Sequence, residues 1–233
     1  MIQSIVDHPA IWRGSDLARV AVPSLPTGFS ELDAELPGGG WPMGALAEIL
    51  PAHEGIGELR LFGPALASLS AAGKRLAWIA PPHRPYAPAL DAAGIALARL
   101  VIVTTRTAQE TLWAIEQALA SRACGAVLAW PAAARYAELR RLQLAAEGGR
   151  ALAVLFRSQK AISEPSPAAL RIALGTADGG LAVRILKRRG APLDRPLLLP
   201  PAPLASRRAA VARAAAAKIA IAGASDRPQL HLA

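Results

Sequence analysis

Residues 25–59 constrain the fold of this chain more than any other stretch. Residues 27–32 begin with a capping threonine and predict a helical turn, which consecutive glycines then break. Residues 45–50 form an apolar run of strand length that contains one carboxylate, Glu48. A short, continuously apolar strand is typical of a sheet that is buried on both faces. A loop and a predicted helix over residues 57–72 follow, so the stretch predicts a buried strand, a loop and a helix in succession.

The loop after this strand lies where a phosphate-binding loop would lie. Such a loop reads G-x-x-x-x-G-K-[ST]: its backbone N–H groups and lysine hold phosphates, and its hydroxyl holds Mg²⁺. Here Gly55 takes the second glycine position, but Leu50 replaces the first glycine, and Ile56 and Gly57 replace the lysine and the hydroxyl residue. The segment from Pro51 to Gly57 is therefore a degenerate phosphate loop, for which we expect no nucleotide cofactor.

Strands and helices alternate along the following hundred residues. The predicted strands are residues 45–50, 75–80, 100–104, 125–130 and 151–156. The predicted helices between them are residues 57–72, 87–93, 107–121 and 134–147, the first with a break or kink at Gly63-Pro64. Residues 170–174 and 181–186 alternate around a turn and predict an antiparallel hairpin. This order predicts an α/β fold with a mainly parallel sheet, covered by helices, and a hairpin at one edge.

Composition shifts divide the chain into three parts. Residues 1–24 form a predicted N-terminal arm, residues 25–190 the predicted core, and residues 191–233 a basic tail rich in proline and alanine. Within the tail, residues 197–201 are predicted to be extended and residues 206–221 to form a helix.

The chain is strongly basic, with a formal net charge of +9 and a pI near 10.9. This charge favours nucleic acid or an acidic protein as a partner, with a solvated basic surface as the alternative. The residues from 184 to 218 hold most of the excess. We expect contacts to DNA or a partner from Arg184, Lys187, Arg188, Arg189, Arg207, Arg208, Arg213 and Lys218.

The five tryptophans divide into two predicted groups. Trp78, Trp113 and Trp130 fall within predicted strands or a helix, so we expect them in the core. Trp12 and Trp41 fall outside the regular elements, and we predict that they contact partners.

Sites for disulfide, metal and nucleophile chemistry are not indicated. The single cysteine, Cys124, excludes an intrachain disulfide and a multi-cysteine zinc site. Four histidines are scattered without helical i, i+4 spacing, so we expect neither a metal site nor catalytic residues. The chain lacks an N-terminal basic region followed by an apolar core, and it has no apolar run of membrane-spanning length. We therefore expect a cytoplasmic protein that does not contact a membrane.

Several motifs together resemble a known family, the RecA-like ImuA proteins associated with translesion DNA synthesis. The resemblance reaches from the N-terminal arm to about residue 200, and each motif alone is weak. The matching motifs are His8-Pro9 with Trp12-Arg13-Gly14, residues 25–29 with Leu32-Asp33, residues 38–42, Phe156-Arg157, residues 166–171 and residues 186–190.

The resemblance implies a damage-inducible accessory factor with a RecA-like core. It implies as partners an ImuB-type homologue of Y-family polymerases, itself inactive, and an error-prone C-family DNA polymerase. Single-stranded DNA is a further expected partner.

The chain departs from RecA-type ATPases at every position that hydrolysis uses. Besides Ile56 and Gly57, Trp130 stands where the Walker B aspartate is expected, and Pro82 stands near the expected catalytic glutamate. Glu54 and Glu58 flank the loop, where unpaired carboxylates would repel a triphosphate. We therefore expect a non-enzymatic protein. Two alternatives stay open: a cell-division inhibitor of the SulA type, which shares the fold without ATP chemistry, and an ATPase with a divergent phosphate loop.

Overall fold

The computed structural model describes residues 23–190, 193 and 195–200. The predicted helix at 206–221 lies outside the described residues, as do Trp12, Arg207, Arg208, Arg213, Lys218 and nearly all of the predicted arm.

An eight-stranded sheet forms the centre of the molecule, in the order β10-β9-β8-β3-β7-β6-β4-β5. Its strands are β3 (Ala45–Pro51), β4 (Arg75–Ile79), β5 (Leu100–Val103), β6 (Cys124–Ala129), β7 (Leu152–Phe156), β8 (Leu170–Ala177), β9 (Gly180–Lys187) and β10 (Leu197–Leu199). The six strands from β3 to β8 are mutually parallel, whereas β9 is antiparallel to both of its neighbours. The apolar strand predicted at 45–50 is β3, and β7 and β8 flank it.

Helices cover both faces of this sheet. They are α1 (Ser30–Glu35), α2 (Glu58–Ala71), α3 (Ala87–Ala92), α4 (Ala108–Ala120) and α5 (Tyr136–Gly149). Successive β3 residues alternate between two cores: Ala47 packs with α2, whereas Leu46 packs with α4 and α5. Alternation of this kind follows from the two-residue period of a strand.

The junction before the main sheet is held by the Thr27-Gly28 pair. A short ribbon of β1 (Ser24–Leu25) and β2 (Trp41–Pro42) precedes β3. The Thr27 backbone N–H donates to Asp33 at 2.8 Å, which closes the loop onto α1. Gly28 has φ +89, and a Cβ added there would lie 2.5 Å from the Cβ of Pro64. Only glycine therefore fits at this position without a shift of its neighbours.

The predicted α/β architecture is confirmed: a mostly parallel sheet is flanked by helices and includes an antiparallel hairpin, β8–β9. Two details differ. The helix over 58–71 continues through Pro64 without a break. Residues 197–199 are extended as predicted, but they pair with β9 and so extend the main sheet beyond residue 190.

Candidate functional site

The loop between β3 and α2, predicted from the sequence to be a degenerate phosphate loop, has backbone amides that already have an acceptor. The Glu58 carboxylate accepts hydrogen bonds from the Gly55 and Gly57 backbone N–H groups, both at 3.1 Å. Glu58 is the first residue of α2 and is buried. Its negative charge therefore sits at the helix N-terminus, where the helix dipole favours an anion. An internal carboxylate therefore occupies these loop amides.

This arrangement corrects one expectation. Glu58 does not face the loop unpaired. Glu54, the other flanking carboxylate, is exposed and lies 3.2 Å from His83 Nε2. That contact joins the loop after β3 to the loop after β4, which contains Pro82.

Aromatic rings occupy the carboxyl ends of the central strands. Trp130 follows β6 directly and stacks on Phe156 at the end of β7, with ring centroids 4.7 Å apart and planes at 11°. Trp78 meets Trp130 edge-on at 5.9 Å. On the other side, Phe156 meets Phe62, which in turn stacks on Trp41 at 4.5 Å. The row makes this edge of the sheet aromatic and apolar.

Two tryptophans lie in environments other than those predicted. Trp41 is fully buried, so the prediction that it lies outside the core and contacts a partner is wrong: its ring stacks on Phe62 instead. Trp113 is 62% exposed on α4, so the prediction that it lies in the core is wrong as well. The core position of Trp78 is confirmed.

A buried charge cluster lies on the opposite face of the sheet from this row. Glu48 in the middle of β3 is fully buried, and its carboxylate accepts from Arg157 Nη1 at 3.1 Å, Arg171 Nε at 2.7 Å and the Ser166 hydroxyl at 2.9 Å. Strand register places Glu48 beside Arg171. Three donors on one carboxylate satisfy a charge that would otherwise be costly to bury.

Both arginines donate to further acceptors. Arg157 donates to the Ala134 carbonyl at 3.1 Å and pairs with Glu164 at 2.7 Å. Arg171 donates to the carbonyls of Ala161 and Ile162. The cluster thus ties β3, β7 and β8 to the loops after β6 and β7, and its role is structural.

A groove of about 990 Å³ lies between the N-terminal ends of α4 and α5, beside this cluster. We call it the α4–α5 groove. Trp113 and Tyr136 line it and are 62% and 53% exposed. Arg135 and Lys160 also line it, and neither side chain makes an ion pair within the described part of the chain. Exposed aromatic rings beside unpaired cations are suited to stacking bases and holding phosphates.

The predicted basic contacts separate into different environments. Arg184 is exposed on β9. Arg188 is largely buried and donates to the Glu35 carboxylate at 2.9 Å. The Lys187 ammonium donates to the Ser166 carbonyl at 2.9 Å, and Arg189 is exposed. Of these four cations, Arg188 is committed to the fold and is the least suited to contact DNA.

Sequence reasoning missed the Glu48 cluster and the α4–α5 groove. It noted Glu48 as one carboxylate inside an apolar strand, and it noted Phe156-Arg157 and residues 166–171 only as motifs. The usable signal was that Glu48, Arg157 and Arg171 are oppositely charged residues within or next to apolar strands, since buried charges are expected to pair.

Among the described residues, no group of three or more histidine, cysteine, aspartate or glutamate side chains is placed to hold a metal ion. No helix in the same part of the chain is long and apolar enough to cross a membrane.

Comparison with known proteins relates the chain to two kinds of protein, SulA and ImuA. The family model described as Cell division inhibitor SulA matches residues 44–153, from the start of β3 into β7. The cell division inhibitor SulA of Edwardsiella piscicida is 32% identical over 100 residues, which are 43% of this chain and 60% of that protein.

Protein ImuA of Caulobacter vibrioides strain NA1000 / CB15N is 32% identical over 134 residues, which are 55% of each chain. Protein ImuA of strain ATCC 19089 / CIP 103742 / CB 15 gives the same values. The chain thus spans between 55% and 60% of the lengths of these curated relatives. It is a distant homologue of Protein ImuA and carries a SulA-like region.

Proposed function

We propose that this protein is a non-catalytic, RecA-like accessory factor of damage-induced mutagenesis. In this role it holds an ImuB-type polymerase homologue and an error-prone C-family polymerase together and hydrolyses no nucleotide. The homology to Protein ImuA supports the cellular role. The observation that carries the non-catalytic part is the Glu58 carboxylate on the loop amides.

The electrostatics of the loop support the proposal that the protein does not hydrolyse ATP. A triphosphate would have to displace Glu58 from the Gly55 and Gly57 amides and then lie beside its charge. The loop offers neither lysine nor hydroxyl to compensate, since Ile56 and Gly57 stand at those positions. At the end of β6, Trp130 offers a ring in place of a metal ligand. Phosphoryl transfer in ATPases of this kind uses the lysine, the hydroxyl and the metal-binding carboxylate that are missing here.

Titration calorimetry with Mg-ATP, together with phosphate release in the presence of single-stranded DNA, tests this part. We expect neither binding nor turnover. Micromolar binding that is lost when the loop is mutated would establish the divergent ATPase instead.

Single-stranded DNA contact is proposed for the α4–α5 groove rather than for Arg188. The groove combines exposed rings with unpaired cations, and it opens at the N-terminal ends of two helices. Because such binding releases counterions, it should weaken steeply as salt rises.

The SulA-type division inhibitor is the second candidate function, because the SulA family model spans β3 to the start of β7. The two functions differ in their partners and in the cellular response. Deletion of an accessory factor lowers damage-induced mutation frequency, whereas overproduction of a division inhibitor makes undamaged cells filament. A deletion strain, the same strain complemented by the full chain, and an overproducing strain separate them.

A further inference from the structure

Three motifs that are distant in the sequence meet at one pocket. The pocket has a volume of about 420 Å³, and we call it the motif pocket. Its walls come from the loop around β2 (residues 40–45), from residues 167–170 and from residues 187–189. Gln143 and Glu147 of α5 complete it. It lies at the start of β3, at the end of the strand opposite the degenerate loop.

The fold itself accounts for only some of the motif residues. Trp41 stacks on Phe62, Ser166 and Arg171 bind Glu48, and Arg188 binds Glu35. Pro167 and Arg189 line the pocket, and within the described part of the chain the Arg189 side chain makes no hydrogen bond or ion pair. Met43 also lines it and packs against the main core on its inner side.

The pocket has an apolar floor. Leu36, Pro37, Pro42, Met43 and Pro167 contribute carbon surface to it. Met43 is half-buried and packs against the main core. The volume of the pocket falls within the range of roughly 300–1,000 Å³ that is typical of ligand pockets. A floor of this kind takes an apolar side chain of a ligand.

Cations line the rim of the pocket. They are Lys187, Arg188 and Arg189, of which Arg188 pairs with Glu35 at 2.9 Å. Among the described residues of the lining, the one acidic side chain is Glu147, which accepts a hydrogen bond from Gln143 at 2.9 Å. The cations therefore outnumber the carboxylates around the opening, and the field favours an acidic ligand.

We infer that the motif pocket docks an extended peptide segment of a partner protein that alternates acidic and apolar residues. An apolar side chain of the segment enters between Met43 and Pro167, and its carboxylates face Lys187 and Arg189. The inference deepens the accessory role proposed above and rests on it only in taking a protein as the partner.

Fluorescence anisotropy of labelled synthetic peptides on the full chain tests this site. The probe is a short peptide of alternating glutamate and leucine. One control peptide replaces leucine by serine and another replaces glutamate by lysine. We expect binding of the glutamate–leucine peptide at low salt, and no binding of either control.

Charge reversal on the protein locates the contact. Arg189→Glu should weaken binding of the glutamate–leucine peptide about fivefold or more, because it reverses a charge at the rim. Arg184→Glu is the matched control, since Arg184 is an exposed cation on β9 that does not line the pocket. It should change the affinity by less than about twofold.

Four outcomes would overturn the inference. The glutamate–leucine peptide does not bind; the glutamate–serine peptide binds equally well; the two charge reversals weaken binding equally; or an oligothymidylate displaces the peptide from this site. A fifth result, displacement by a synthetic peptide of residues 1–22 or loss of binding as the protein self-associates, would assign the pocket to the chain itself. The mutation-frequency assay is independent of these results, so failure of the pocket and failure of the proposed function are distinguishable.

Discussion

Arg171 Nε donates to the Glu48 carboxylate at 2.7 Å, and both side chains are more than nine-tenths buried. The two residues belong to adjacent parallel strands that are far apart in the sequence. Their contact, shared with Arg157, joins β3, β7 and β8 into one electrostatic unit.

Glu48→Gln should therefore lower the free energy of unfolding by about 3–5 kcal/mol, because it leaves the buried Arg171 guanidinium without an anion and Arg157 with the half-exposed Glu164 alone. Urea denaturation, followed by tryptophan fluorescence, measures this. Glu164→Gln is the matched control: Glu164 pairs with the same Arg157 but is about half exposed, and its loss should cost about 1 kcal/mol or less. Equal effects of the two variants would contradict the structural role of the cluster.

Glu58→Ala should destabilise the protein by about 1–2 kcal/mol, since it strips the acceptor from two loop amides at a helix N-terminus. Glu54→Ala removes an exposed carboxylate from the same loop and should leave the free energy of unfolding nearly unchanged. Thermal and urea denaturation of both variants check this. A Glu58→Ala protein as stable as the parent chain would mean that the amides need no internal anion.

Trp113→Ala should weaken single-strand binding by about 1–3 kcal/mol if a base stacks on its ring in the α4–α5 groove. Anisotropy with a labelled oligothymidylate, measured from about 50 to 200 mM salt, gives the affinity and its salt slope. Leu144→Ala on α5 is the control, because Leu144 is similarly exposed but does not line the groove. Absence of binding by the parent chain at the lowest salt would remove the groove as a DNA site.

Cys124 should react slowly with iodoacetamide at neutral pH. Burial raises the pKa of this thiol above its ordinary value, and the nearby Arg75 guanidinium opposes that shift only in part. Since the thiolate is the reacting species, the alkylation rate should reach half its maximum at a higher pH than for free cysteine. Arg75→Gln should move this midpoint further upward. A midpoint below that of free cysteine would contradict the burial argument.

Gly28→Ala should destabilise the chain by more than the 1–3 kcal/mol that is usual for a strained backbone residue. The position combines φ +89 with a contact to Pro64 that a methyl group would overlap. Gly39→Ala is the comparison: Gly39 also has positive φ, but a Cβ there would meet nothing within 4 Å. The difference in melting temperature between the two variants isolates the steric part.

The regular elements were predictable because each strand is an apolar run that a turn or glycine ends. Strands β3 to β7 start and end within about one residue of the predicted bounds, a closeness better than usual for such boundaries. Which side chains are buried was harder to predict than where the strands lie. Trp113 follows Leu112, which faces the core, but successive helix positions point about 100° apart, so Trp113 faces outward.

Contacts between distant residues account for the rest of what was missed. The burial of Trp41 depends on the pairing of β2 with β1 and on a stacking partner in α2, neither of which is near it in the sequence. The ion pair of Arg188 depends on Glu35, which is equally distant along the chain. The acceptor role of Glu58 depends on the positive φ of Gly55 and Gly57, which aims their N–H groups at it.

The central place of β3 has a consequence for synthesis on the ribosome. Ala45 pairs with Leu152 and Ala47 with Leu170, so both neighbours of this apolar strand are made long after it. At about 5–20 residues per second, roughly 5–20 s pass before β7 is available. During that interval the nascent chain exposes an unpaired hydrophobic strand, and the N-terminal half cannot complete its core. The translation rate and chaperones that bind unfolded chains should therefore govern the yield of folded protein.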